Sequence, residues 1–476
     1  MADRSDLSHF ALRPAAGALV YRQIYERIRG GILSGELRAG SRLPSARSLA
    51  SQLAVARGTV ETAYQVLAAE GYIVGRGAAG TFVEQALVTP PAAARPPGGT
   101  KGAGLQPQGR HRRGASLLFR LGLPALDAFP RKLWSRLTAQ RARALAPGDL
   151  AYQDPAGQAA LRRTMAFYLR VARGVACAPE QIFITTGYQG ALALIGQTLL
   201  RPGDAVWVED PGYHFGRQAL ALAGARLIAI PVDGNGLDVA RGRAKAARAR
   251  FAVVTPCHQF PLGATLPVSR RLALLDWAAA ADAWIVEDDY DSEFRYRGRP
   301  LPALKSIDSR QRVLYVGTLS KVLFPALRVG YLVVPETLAA KFRAACTAVQ
   351  PAPSALAQSV VAAFIEDGHF ARHVRRMRQL YGERRAALAA ALQTACGDMM
   401  TIEAPSGGMH LIGRLPSGSD DVALVAQAQL RDLWPVPLST CAVKRPTGPG
   451  LLLGFTNVPT EHAAQAARAL RGALVR

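Results

Sequence analysis

One break in composition constrains this chain more than any other feature. Between about Val88 and Gly114 it reads VTPPAAARPPGGTKGAGLQPQGRHRRG, where Pro, Gly and Arg accumulate with neither helical nor alternating periodicity. Such a stretch cannot bury enough apolar surface to join a core, and it reads as a flexible, basic linker. It leaves about 85 residues on one side, enough for a small module, and about 360 on the other, enough for a large α/β unit. We therefore expect a multidomain chain, with folded units at 12–85 and 116–476 joined by a linker at 86–115.

The smaller unit begins with apolar positions at helical spacing, Leu19, Ile24, Ile28 and Ile32, ending at Ser34-Gly35. Two short helices follow. Ser45 suits the cap of the first, which runs to about Leu53. The second starts near Arg57 and turns Val60, Tyr64 and Leu67 inward, leaving Arg57, Gly58, Thr59 and Glu61 on an exposed first turn. Next, Tyr72 to Val74 and Gly80 to Val83 alternate like the strands of a hairpin around Arg76 and Gly77. A helical bundle with a capping hairpin would show the same periodicities. So would a helix-turn-helix with a wing, whose second helix enters the major groove of DNA.

The residues themselves resemble a known family. LPSARSLA (Leu43 to Ala50), ARGTVETAYQVLAAEGY (Ala56 to Tyr72) and GAAGTFV (Gly77 to Val83) are similar to the winged helix-turn-helix of GntR-family regulators. Ala56 replaces the usual serine, and the wing carries an extra alanine. The resemblance implies an α+β module bound to double-stranded operator DNA through Ser45, Arg47, Arg57, Thr59 and Arg76. Ser45, Arg47 and Thr59 would hold phosphates, and Arg57 and Arg76 would face base edges.

The larger unit alternates helical patterns with short apolar runs: Ile182 to Thr186, Ala205 to Asp210, Phe251 to Pro256, Ala283 to Asp289, Val313 to Thr318 and Val329 to Val334. Runs apolar on both faces predict a mostly parallel sheet covered on both sides, with ligands at the carboxyl ends of its strands. One such end carries GTLSKVLFPALRVGY, Gly317 to Tyr331. A lysine that condenses with an aldehyde needs a tight, dry setting that favours its neutral amine, and Lys321 sits among Thr318, Ser320 and Arg328, donors suited to one phosphate dianion. Pyridoxal phosphate carries both groups. A solvated lysine in a turn would account equally well for an isolated Ser-Lys pair.

Four further segments fall at predicted strand ends. TTGYQGAL opens a helix at Gly187, Tyr188 and Gln189, a phosphate cradle. In VEDDYDSEFRY, Asp288 would need a cationic partner once buried, and a protonated pyridine nitrogen is one; a helix cap or a pair with Arg295 is another account. Tyr290 stands two positions on. TPCHQFPLG brings His258 to the same edge, where a structural histidine is the plainer reading, and EDPGYHFGR offers Tyr213 for ring stacking or simply a Pro-Gly turn.

In this order, and with the segment Tyr152 to Arg162, the region from about Leu117 onward resembles the fold-type I aminotransferases. The resemblance implies that Lys321 forms a Schiff base with pyridoxal phosphate, that Asp288 pairs with the pyridine nitrogen, and that Tyr290 approaches the ring oxygen. Tyr188, Gln189, Thr318, Ser320 and Arg328 would hold the phosphate, with Tyr213 and His258 completing the cofactor site. His258 stands where many aminotransferases have asparagine. A second subunit usually completes such sites, so a homodimer is expected. The two units together look like the MocR subfamily of GntR regulators.

Three functions compete. A pyridoxal-phosphate-dependent regulator sensing the cofactor or a small amine uses every motif. A working aminotransferase leaves the recognition helix and wing without a purpose, and a DNA-binding dimer with an inert second half leaves the lysine and its neighbours without one. Substrate-holding residues are less complete: the late stretch Gly448 to Pro459, where aminotransferases usually carry an arginine for the substrate carboxylate, has none, and Arg217, Arg414 and Arg445 are the substitutes. Composition agrees with the regulator. The chain of 476 residues carries a formal charge of +24, which suits a polyanionic partner. Its five scattered cysteines form no CxxC pair or disulfide framework, and no apolar run suggests a signal peptide or membrane span, so we expect a cytoplasmic protein without metal or membrane partner.

Overall fold

The computed structural model describes residues 20–84, 117–298, 301–349, 352–444 and 446–475, so the expected linker at 86–115 lies outside the described residues. The chain divides into two compact units at Arg110/His111.

In the first unit, α1 (Val20–Leu33), α2 (Ala46–Leu53) and α3 (Arg57–Ala69) precede a hairpin of β1 (Ile73–Gly75) and β2 (Thr81–Val83). The helices form because their apolar residues recur on one stripe: Ile24, Ile28 and Ile32 of α1 meet Leu49 of α2 and Val60, Ala63, Tyr64 and Leu67 of α3 in one core. Each large side chain buried there stabilises the module by roughly 1.5–3 kcal/mol before entropy is set against it. Ser45 caps α2 by accepting from the Ser48 amide at 3.1 Å, and the Tyr64 hydroxyl donates to the Pro44 carbonyl at 2.8 Å, which pins the entry of α2 onto α3. The hairpin pairs Ile73 with Val83 and turns through Gly77–Ala79.

The second unit opens with α4 (Arg131–Arg143) and α5 (Ala159–Arg173) and is built around an eight-stranded sheet. In chain order its strands are β3 (Ile182–Thr185), β4 (Ala205–Asp210), β5 (Arg226–Asp233), β6 (Gly236–Leu237), β7 (Phe251–Val254), β8 (Trp284–Asp289), β9 (Val313–Thr318) and β10 (Gly330–Val333). In space they run β3-β10-β9-β8-β7-β4-β5-β6. β9, β8, β7, β4 and β5 are mutually parallel, while β10 lies antiparallel between β3 and β9. The reversal of β10 puts its first residue, Gly330, level with Thr185 and Thr318, the last residues of its neighbours. β8 and β9 are buried throughout, as a sheet covered on both faces requires. α6 (Tyr188–Leu199) and α7 (His214–Leu222) start directly beyond β3 and β4. A four-stranded antiparallel sheet follows, β11 (Thr401–Glu403), β12 (His410–Arg414), β13 (Val436–Pro437) and β14 (Gly450–Gly454), in the order β11-β12-β14-β13.

Candidate functional site

Five chain segments leave one edge of the large sheet and bring the expected residues to it: Gly187 after β3, Tyr213 after β4, His258 after β7, Tyr290 after β8 and Lys321 after β9. Arg328 reaches the same edge because it precedes the reversed β10.

Lys321 is partly buried, and its Nζ donates to the Gly122 carbonyl at 3.0 Å. A Cβ on Gly122 would lie 2.2 Å from that nitrogen, and Gly122 has φ +62°, so only glycine leaves room for the amine. Burial holds the amine below its ordinary range, against the pull of the Asp291 and Asp288 carboxylates. A partly neutral amine is the form that attacks a carbonyl.

Asp288 is only 7% exposed. Burial raises its carboxyl well above the usual range, the Tyr188 hydroxyl bonds to it, and Oδ1 is left without a partner. The alternative pair with Arg295 does not form; that guanidinium has its own Nε buried and unpartnered. Asp288 is therefore a buried carboxyl with one side engaged by Tyr188 and the other without a partner among the described residues. The Tyr188 ring stands 6.0 Å from that of Tyr213, so its side chain faces the Asp288 end of the site, whereas its backbone opens α6 at Gly187.

At the other end, Arg328 takes a left-handed φ of +53°, which brings its guanidinium within 3.9 Å of where a Gly187 Cβ would stand. A Cβ on Gly330 would fall 2.7 Å from the Gly187 Cα, so the two backbones touch. Exposed Arg328 thus stands beside Gly187, the residue that opens the N-terminus of α6, with Gln189 exposed in the first turn of that helix and Ser320 half-exposed next to Lys321. Thr318 Oγ1 accepts from the Ser320 amide at 3.2 Å, which fixes the turn that carries Lys321.

His258 lies behind Tyr290, its Nδ1 2.9 Å from the Tyr290 hydroxyl and 3.1 Å from Asp291 Oδ2. Of the substitutes for a carboxylate-binding arginine, Arg217 is spent on the Gly212 and Cys441 carbonyls and Arg414 on Glu403 and the Thr447 carbonyl, while Arg445 lies outside the described residues.

Beneath Asp288 is a layer that motif reading missed. Arg173 donates to Asp289 at 2.8 Å, Tyr315 bonds the same carboxylate, and Tyr168 donates to Glu293 at 2.9 Å. Arg173 is distant in sequence and belongs to no motif; a buried arginine facing an acidic strand end has no local signature.

In the first unit, Arg57, Ser45, Arg47 and Arg76 are exposed and Thr59 is half-buried. Arg57 is bonded to Glu61 at 2.8 Å, and Arg76 lies over the Phe82 ring at 5.1 Å. Among the described residues no cluster of three or more His, Cys, Asp or Glu could hold a metal, and no described helix is long and apolar enough to cross a membrane.

Residues 20–83 match the family model of gntR bacterial regulatory proteins, and residues 130–446 match aminotransferase class I and II. Over 466 residues, 96% of this chain and 94% of the relative, the chain is 38% identical to the probable rhizopine catabolism regulatory protein MocR of Rhizobium meliloti. It belongs to the MocR-type regulators of the GntR family. Another member of that group, the pyridoxine biosynthesis transcriptional regulator PdxR of Corynebacterium glutamicum, is 34% identical over 84% of each chain. The MocR-type second unit also matches solved enzymes: an archaeal alanine:glyoxylate aminotransferase (TM-score 0.70, 26% identity) and the Pyrococcus horikoshii kynurenine aminotransferase in complex with PMP (0.68, 29%), each over 76% of this chain and 91% of the other. A MocR-type chain is a transcriptional regulator, and its aminotransferase-like unit is of a pyridoxal-phosphate-dependent class.

Proposed function

We propose that this regulator binds pyridoxal phosphate at the edge between Lys321 and Asp288 and reports the cofactor, or an amine reacting with it, to operator DNA. The observation that carries the reading is the orphaned Asp288 Oδ1, a buried acceptor placed across the site from a lysine whose burial favours the neutral amine. Bound there, pyridoxal phosphate supplies an aldehyde for an amine to attack and a ring nitrogen whose proton Asp288 can accept a bond from.

The chain's own residues supply the rest. Asp288 would hold the ring nitrogen, with Tyr188 steadying Asp288, and Tyr213 would cover the ring. Arg328, Ser320, Thr318, Gln189 and the first amides of α6 would bind the phosphate. Tyr290 would direct its hydroxyl towards the ring oxygen, with His258 behind it. Lys321 would hold the cofactor aldehyde through its amine, the position for which an effector amine would compete, and that competition would give the effector the different affinity for two arrangements of the protein that a switch requires. Arg217 and Arg414 are held by backbone and Glu403, which favours sensing over turnover of an amino acid.

Ser45, Arg47, Arg57, Thr59 and Arg76 contact the operator, and a homodimer presents two such modules. Exposed Leu150 and Tyr152, on the loop before α5, supply apolar surface for a second copy to cover. The setting is cytoplasmic.

The test is operator binding on the neighbouring intergenic DNA at fixed salt, with and without pyridoxal phosphate and candidate amines. A change in affinity that Lys321→Ala removes is expected; an affinity indifferent to cofactor and amines in the parent chain ends the sensing reading.

A further inference from the structure

A single nitrogen, His258 Nδ1, stands between two oxygens, the Tyr290 hydroxyl at 2.9 Å and Asp291 Oδ2 at 3.1 Å. Asp291 is 2% exposed and His258 6%. An ionised carboxylate only accepts hydrogen bonds. Facing it, Nδ1 must carry the proton, and a nitrogen that donates cannot also receive the Tyr290 proton. The phenol oxygen then accepts from Nδ1, and its own O–H is left for an acceptor other than that nitrogen: the Asp291 carboxylate, which also bonds the Tyr290 hydroxyl, or a group bound in the site.

The other ring nitrogen, Nε2, is buried without a partner, so the polar contacts of the ring run through Nδ1. The contacts therefore assign a proton to Nδ1. Packing leaves the imidazole little alternative: a Cβ on Gly408 would fall 2.0 Å from Cε1, and one on Gly263 would fall 3.3 Å from Nε2.

The geometry points to Asp291 and His258 as a positioning pair for Tyr290: the carboxylate fixes the imidazole as a donor to the Tyr290 oxygen, which keeps the Tyr290 O–H off that nitrogen and free to donate to a bound cofactor. This inference rests on the pyridoxal-phosphate reading above. Neither residue of the pair needs to touch the cofactor. His258 thus passes from a direct ligand to a residue acting through Tyr290, and Asp291, which no motif singled out, becomes the origin of the effect.

Other charges face the same place. Asp288 and Glu209 act on Tyr290 beside Asp291, and Asp291 itself acts on Lys321, Tyr296 and His410. Substituting Asp291 therefore changes Lys321 directly as well, and His258 is the cleaner probe.

The experiment follows the visible absorbance of the full chain loaded with pyridoxal phosphate across pH, for the parent, His258→Leu, Tyr290→Phe and the double variant. Loss of a donor to the ring oxygen disfavours its ionised form, so each single substitution should raise the midpoint of the visible transition by about one pH unit or more. If His258 acts through Tyr290, the double variant moves no further than Tyr290→Phe alone. Where His258→Leu does not fold, His258→Gln, which places no donor at the Nδ1 position, takes its place. A double variant whose shifts add, in a chain that keeps its visible band, overturns this inference alone. A parent chain with no visible band at any pH overturns the cofactor reading and this inference with it.

Discussion

Gly122 and Lys321, 199 residues apart in the chain, meet directly, with the Lys321 Nζ donating to the Gly122 carbonyl at 3.0 Å. The segment before α4 thus forms one wall of the lysine's pocket, and the absence of a side chain at Gly122 is part of that wall. Gly122→Ala adds a Cβ 2.2 Å from Nζ at a left-handed backbone position. We expect it to weaken pyridoxal phosphate binding at least about tenfold, or ~1.4 kcal/mol, as read by absorbance titration. Lys321→Ala should abolish the visible band. Operator binding by the unloaded chain should be unchanged in both.

Asp288 gives a prediction about pH. Burial keeps its carboxyl protonated above the ordinary carboxylate range in the folded chain, whereas unfolded it ionises at about pH 4. Unfolding then releases a proton, so the stability of the unloaded protein falls as pH rises from about 4 towards the folded value. Glu209 and Glu287, both pushed up to about 7 by burial, contribute a decline of the same sign whether or not cofactor is bound. The diagnostic is therefore the difference: the gain in melting temperature on adding pyridoxal phosphate should grow from pH 5 to pH 8. In Asp288→Asn that gain should be small and flat, and a gain that still grows with pH there would remove Asp288 from the ring-nitrogen role.

Arg57 enters DNA binding already paired with Glu61, at 2.8 Å. Contact with a base edge must displace that carboxylate. Arg57→Ala should cost about 1–3 kcal/mol of operator affinity, with the visible cofactor band intact. Glu61→Gln should tighten binding, most clearly at low salt, where the competing charge is least screened. Equal affinities for all three proteins would take Arg57 out of the interface.

Leu150 is 76% exposed and Tyr152 98%, on one loop. Burial of each in a subunit interface would contribute roughly 1.5–3 kcal/mol. Leu150→Asp and Tyr152→Asp should each shift the chain towards monomer in sedimentation at micromolar concentration. If the mass stays as in the parent, this loop takes no part in any contact between copies of the chain.

The parts of the molecule legible in the sequence are those whose periodicity or chemistry is local. α3 announced Val60, Tyr64 and Leu67 by helical spacing, and β8 and β9 announced themselves as apolar runs ending at Asp289 and Thr318, with Asp288 in the first and Lys321 just beyond the second. What stayed hidden depends on distant chain. Nothing near Gly122 marks it as a neighbour of Lys321, and Arg173 reaches Asp289 across 116 residues. The reversal of β10 was equally silent, since an apolar strand reads the same in either direction. His258 was placed at the correct edge, but its orientation depends on Asp291 and on two glycines from other loops.

The lone oxygen of Asp288 has a consequence for how long the molecule lasts. A ligand that satisfies it binds the folded chain and not the unfolded one, and at a hundredfold excess over its Kd adds on the order of 2.7 kcal/mol to the folded state. Chains without ligand open more often, and a protease that cuts only opened chains removes them first. Cofactor supply would then set how many copies of the regulator survive, as well as what each copy does.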